Sequence, residues 1–153
     1  MAKQQQSPRQ PEKREYEHKV LDIARVARVM AGGRRFSFRA TVVIGDRKGK
    51  VGVGMGKGAD TAIAIDKAIN AAKKKLVQID VSSGTIPVDA IAKFGSAQII
   101  LKPAKEGKGI VAGGAVRTVV DFVGIKNITA KMLGGKNKLN NANATVKALL
   151  KTQ

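Results

Sequence analysis

The chain has 153 residues, 43% hydrophobic but only 3% aromatic, enough for one ordinary domain or two small ones with a core of Val, Ile, Leu and Ala. It carries 29 basic and 11 acidic side chains, a net charge of +18, with no cysteine and one histidine. Disulfides, thiol nucleophiles, structural zinc and iron–sulfur sites are thereby excluded, and so basic a folded chain requires a polyanion partner, nucleic acid before membrane surface.

The charge is not confined to a tail. Residues 1–80 hold 18 basic and 8 acidic side chains, and residues 81–153 hold 11 and 3. Residues 1–15, rich in Gln, Pro, Lys and Arg, read as a disordered basic arm. The opening "MAKQQQSPRQPEKREYEH" has no apolar centre of the kind a signal peptide needs, and no run reaches the roughly 20 apolar residues of a membrane span. The cytoplasm is the expected compartment.

From Tyr16, "YEHKVLDIARVARVMAGGRR" fits two periods. Val20, Ile23 and Val26 suit a helix, whereas Leu21 and Ile23, then Ala24 and Val26, suit strands joined by a bulge. Periodicity leaves both open. In "FSFRATVVIG", Phe36, Phe38, Ala40, Val42 and Ile44 share one face and Ser37, Arg39 and Thr41 the other, a strand with one buried face. On this pattern Phe36 and Phe38 are core residues. "GDRKGK" is a turn. Val51, Val53 and Met55 then alternate with Gly52, Gly54 and Gly56, a return strand whose glycines line its second face.

Residues 59–76 read as a helix capped by Asp60, with a stripe of Ala62, Ile65, Ala68, Ile69, Ala72 and Leu76. "LVQIDV" is a short strand, and "SSGT" with the proline of "TIPVDA" marks a module boundary. "SAQIILKP" is a strand, "AKEGKGIVAGGA" a glycine-rich loop, and "AVRTVVDFVG" a helix closed by Gly124. "IKNITAKML" is a strand, and Asn141 or Asn143 caps a final helix. The class is α+β in two small modules, with expected boundaries at 16–81 and 82–153.

The stretch "KVGVGMGKGAD" invites a nucleotide-loop reading, which fails residue by residue. In a P-loop alignment Val51 replaces the first glycine and Gly58 the magnesium-binding hydroxyl; Lys57 occupies the third glycine of a dinucleotide fingerprint. An RNA-recognition-motif signature over "RRFSFRAT" fails at Arg35, Ser37, Arg39 and Thr41. His18 has no nucleophile or carboxylate constellation around it, so no enzyme, cofactor or metal is expected.

Backbone binding survives these tests. "MAGGRRF" sets Arg34 and Arg35 on a turn formed by Gly32 and Gly33; Arg25 and Arg28 precede it and Arg39 follows. Lys57 stands by the start of the helix, where unpaired N–H groups favour anions, and Lys48 and Lys50 complete the expected RNA-binding set. In "EGKGIVAGGAVR", Gly107, Gly109, Gly113, Gly114 and Arg117 repeat the pattern, although small residues there equally suit close packing against another element or protein.

"GGRRFSFRATVVIGDRKGKVGVGMGKG", with the Ala/Ile/Lys helix after it, resembles the N-terminal module of bacterial small-subunit ribosomal protein five, and "PAKEGKGIVAGGAVRTVVDFVGIKNITAK" resembles its C-terminal module. The resemblance implies a double-stranded-RNA-binding type of N-terminal fold (three strands and a helix), which favours a strand over residues 20–30. It also implies a C-terminal module with a left-handed βαβ crossover. It further implies binding to 16S ribosomal RNA, contacts with small-subunit proteins four and eight, a position near the messenger path, and an influence on decoding accuracy. Gly32 to Arg35 would lie near the spectinomycin site, with Ala31 where the family usually has lysine. The Gly107–Arg117 loop would form a protein interface. The rival reading is a free-standing double-stranded-RNA binder or RNA chaperone.

Overall fold

A computed structural model describes residues 16–152; the expected arm, residues 1–15, lies outside them. The first sheet is a four-stranded antiparallel meander of β1 (Glu17–Met30), β2 (Gly33–Gly45), β3 (Lys50–Gly58) and the two-residue β4 (Val77–Gln78), with helix α1 (Thr61–Lys73) between β3 and β4. The ambiguous segment is thus one long strand. Its register with β2 shifts between Val20 and Asp22, so the bulge falls at Leu21, ahead of the position the periodicity suggested.

Helix α1 packs unusually close to β3. A Cβ on Gly54 would lie 2.5 Å from Ala72 N and would also meet Ala68 O; one on Gly56 would lie 2.5 Å from Ala68 N, and one on Gly58 2.8 Å from Ala64 N. The periods of the two elements explain the match. Two strand residues advance about 6.6 Å and four helix residues about 6 Å, so alternate glycines stay in step with Ala64, Ala68 and Ala72. These three alanines are fully buried and pack with Ala40, Val42 and Ile44. Ala68 and Ala72 belong to the stripe read from sequence, but Ala62 is exposed and Ala64 takes its place.

The other face of the sheet is also covered. Thr41, assigned by alternation to a polar face, is 4% exposed, and Val43, Val51 and Val53 join a core cluster with Ile99, Leu101, Val119, Phe122 and Leu149. The partner is the second half of the chain. Strands β5 (Ala90–Phe94), β6 (Ala97–Pro103), β7 (Ile110–Val111) and β8 (Ile128–Gly134) form a sheet in the order β5-β6-β8-β7. Only the β7–β8 pair is parallel, and helix α2 (Gly114–Val123) connects its strands. Helix α3 (Lys138–Leu150) packs on β5 and β6.

Strands β5 and β7 were not read from the sequence. Gly124 closes α2 as expected, in a left-handed conformation with φ 99°. Helix α3 begins earlier than expected: Asn137, rather than Asn141 or Asn143, accepts the Leu139 N–H at 3.0 Å. Asn141 is buried inside the helix, and its amide donates to Gly135 O.

Candidate nucleic-acid interface

Strands β1 and β2 continue past the end of β3. Gly58, the last residue of β3, pairs with Phe38, whereas β1 and β2 remain paired out to Met30 and Gly33. A two-stranded ribbon therefore reaches about 16 Å beyond the three-stranded part, closed by Ala31 and Gly32. Gly32 has φ 85°, which a side chain would resist.

The ribbon is exposed, and its sequence is one-sided in charge. Residues 23–45 contain five arginines and no Asp or Glu. Pairing sorts these arginines by face, because residues directly opposite each other in an antiparallel pair project to the same side. Arg28 faces Arg35 across the ribbon, and Arg39 lies between Ala24 and Lys57. These four cations share the side on which, further along, Val43 and Val53 meet the second half of the chain. Arg25 and Arg34 lie on the α1 side, with Phe36, Phe38 and Val29. Among the described residues none of these six cations is ion-paired; the four ion pairs present involve Arg47, Lys102 and Lys138.

Lys57 stands apart from the helix start it was expected to complement. It projects from the sheet face opposite α1, and the helix start already holds a negative group: the Asp60 carboxylate accepts the Thr61 N–H at 2.6 Å. Charge here comes from the sheet face rather than from a helix dipole.

Lys48 and Lys50 are not brought to the ribbon. They sit at the far end of β2, about 40 Å from Arg34 by strand length. Their turn is organised by acids: the Asp46 carboxylate accepts the Lys48 and Lys50 N–H groups at 2.8 and 2.9 Å. Arg47, the one non-glycine residue with positive φ among those described, pairs with Glu17 at 3.1 Å and approaches Asp121 at 3.9 Å. The Arg47 N–H donates to Phe122 O and the Gly49 N–H to Val123 O, so this turn fastens the first sheet to the end of α2. Nearby, the Ser82 N–H and hydroxyl bond the Asp80 carboxylate and hold it below its ordinary range.

In the second glycine loop the residues divide by task. Gly107 and Gly109 have φ 83° and 72° and serve the backbone turn, with the Gly109 N–H donating to Asn127 Oδ1 at 3.0 Å. Gly113 precedes α2 and abuts the methyl end of Met132 within the same chain. Gly114 and Arg117 face outward, with open space around Gly114.

Sequence reasoning misplaced Phe36. It is 47% exposed, and the Arg25 guanidinium carbon lies 3.8 Å from its ring centroid. Alternation put it on the core side, which is correct, but α1 starts at Thr61, just after the Gly58 that pairs with Phe38, and runs away from that part of β2. Phe38, one step nearer the helix, does pack on the core. No group of acidic or histidine side chains suited to a metal occurs among the described residues, and no described helix is long and apolar enough to cross a membrane.

Two family models match the chain: "Ribosomal protein S5, N-terminal domain" over residues 16–80 and "Ribosomal protein S5, C-terminal domain" over residues 92–153. Similar curated proteins include the small ribosomal subunit protein uS5c of Cyanidium caldarium, 48% identical over 137 residues, 89% of this chain and 82% of that protein. The uS5 protein of Thermosynechococcus vestitus is 42% identical over 97% of this chain and 87% of its own length. That of Campylobacter jejuni strain 81-176 is 47% identical over 88% and 92%.

Proposed function

Since the chain belongs to the ribosomal protein S5 family, we propose that it grips small-subunit ribosomal RNA chiefly through the β1–β2 ribbon, with Arg28, Arg35, Arg39 and Lys57 on one face and Arg25 and Arg34 on the other. It is a structural, non-enzymatic constituent of the small ribosomal subunit, bound on the ribosome to ribosomal RNA and to neighbouring ribosomal proteins. The observation that carries the assignment of the grip is the acid-free ribbon, whose cations have no carboxylate partner among the described residues. Unpaired cations on a stiff projection neutralise phosphates and release counterions without first breaking internal ion pairs.

In this reading residues 16–81 form the RNA-binding module and residues 82–153 a module that faces other proteins. Gly107, Gly109, Gly113, Gly114 and Arg117 mark the protein-facing loop, and Gly114 with Arg117 make the contact. Gly32 and Gly33 shape the ribbon tip. Lys48 and Lys50 contribute charge at the opposite end, outside the main grip. The protein partners are small-subunit proteins four and eight, the messenger path lies nearby, and the effect on decoding accuracy comes from holding RNA and proteins in one arrangement.

The test is incorporation into small-subunit particles assembled without this chain. Wild-type protein should remain with the particles through a high-salt sucrose gradient, and the Arg28→Ala/Arg35→Ala variant should be stripped from them. Dispersal of the wild-type chain over bulk RNA would favour a free-standing RNA binder and defeat the proposal.

A further inference from the structure

We infer that Arg25 and Phe36 form a stacking platform for an unpaired nucleobase of the RNA that the ribbon grips, an inference that rests on the functional reading above. The chain has four phenylalanines. Phe122 is buried and Phe38 packs on the core of the first sheet; Phe94 is 43% exposed but has no cation stacked on it among the described residues, whereas Phe36 stands in the ribbon beyond the reach of α1 under the Arg25 guanidinium. Directly across from it is Ala27, whose methyl covers little of the ring.

Arg25 does not lean on Phe38, its direct cross-strand partner. It crosses the diagonal and lays its guanidinium over Phe36 at 3.8 Å. Arg25 is exposed, and no carboxylate pairs with it among the described residues. The result is a planar cation stacked on an aromatic ring, both open to solvent, flanked by Arg34 on the same side.

Phosphate neutralisation needs no ring, and a ring offers nothing to a phosphate. Single-stranded RNA is held by aromatic and guanidinium planes on which bases stack. Positive charge with no acid between residues 23 and 45 favours RNA over an acidic-free apolar protein surface as the occupant. The two faces of the ribbon then have different tasks. The side with Arg28, Arg35, Arg39 and Lys57 takes phosphates, and the side with Arg25 and Phe36 takes a base.

The chain contains no tryptophan, so Phe36→Trp places a single fluorophore on the platform. We expect its emission to be quenched by single-stranded poly(A) and by small-subunit particles assembled without the chain, but not by saturating polyphosphate. Phe36→Leu should weaken binding to poly(A) by roughly five- to a hundred-fold, the range of one lost base–aromatic stack, with the salt slope unchanged and polyphosphate binding unaffected. Arg25→Lys, which keeps the charge but loses the plane, should also weaken poly(A) binding, while Phe36→Trp retains it. Equal quenching by polyphosphate, no quenching by poly(A), or wild-type affinity in Phe36→Leu would each overturn the platform. Any of these with wild-type incorporation into particles intact leaves the functional reading standing; failure of incorporation removes that reading instead.

Discussion

Gly54→Ala adds one methyl group where β3 meets α1. The new Cβ would sit 2.5 Å from Ala72 N and 2.9 Å from Ala72 Cα, with Ala68 O also in its way. Ordinary contact begins near 3.4 Å, so the helix must retreat by about 1 Å, and all three obstructing atoms are backbone, which cannot rotate aside. Retreat loosens Ala64, Ala68 and Ala72 from Ala40, Val42 and Ile44 together. Overpacking of this kind costs about 1–3 kcal/mol, and backbone obstruction puts Gly54 at the top of that range. Alanine restricts the unfolded chain and returns about 0.4–1 kcal/mol. The net loss is therefore about 2–2.6 kcal/mol. For a chain of 153 residues this lowers Tm by roughly 4–10 °C. Gly114→Ala is the control, because a Cβ there meets open space; its Tm should stay within about 2 °C of wild type. Thermal unfolding followed by circular dichroism reads both. A Gly54→Ala protein that melts with the wild type but no longer binds RNA would refute the packing argument and return the glycines to ligand contact.

Two further outcomes follow from the same structure. The fragment 16–81 leaves Val43, Val51, Val53 and Ile79 without the α2 and α3 residues that bury them, so it should show no cooperative melt and should bind an apolar dye, whereas an independently folding fragment would contradict the shared core. Asp80 should titrate below its ordinary range by NMR, and Ser82→Ala should raise its pKa only partway, because the Ser82 N–H, the larger cause, remains. A depressed carboxylate stabilises the fold above its unfolded pKa and loses that contribution as pH falls through the folded value; an Asp80 that titrates normally in the wild type would remove the bond.

The sequence was most readable where one strand or helix met one neighbour. Alternation in β2 from Phe38 to Ile44, the glycines of β3, the Asp60 cap and the Gly124 stop are all local, and each was legible. What escaped depends on distant parts of the chain. Thr41 looks solvent-facing until the second half of the chain covers it. Strand β1 carries no decisive period because much of it runs through an exposed ribbon, where neither face has to be apolar. Strand β5, "AIAKF", is too short for its alternation to stand out.

The residues proposed to face RNA stand out in the sequence by charge but not by position. Charge grouped Lys48 and Lys50 with the arginines, and the length of β2 separates them. Phe36 followed the core pattern correctly, and only the start of α1 shows that the core stops short of it.

The central claim is that the ribbon grips RNA through phosphates. It is tested most directly by measuring the affinity of wild type and Arg28→Ala/Arg35→Ala, which removes two cations of the phosphate-facing side, for small-subunit particles assembled without the chain, across a series of salt concentrations. Each phosphate contact should contribute about 0.7–0.9 to the slope of log affinity against log salt, from single strands to duplex. The double variant should therefore bind more weakly, with a slope shallower by about 1.4–1.8. A slope equal to that of the wild type would contradict the account.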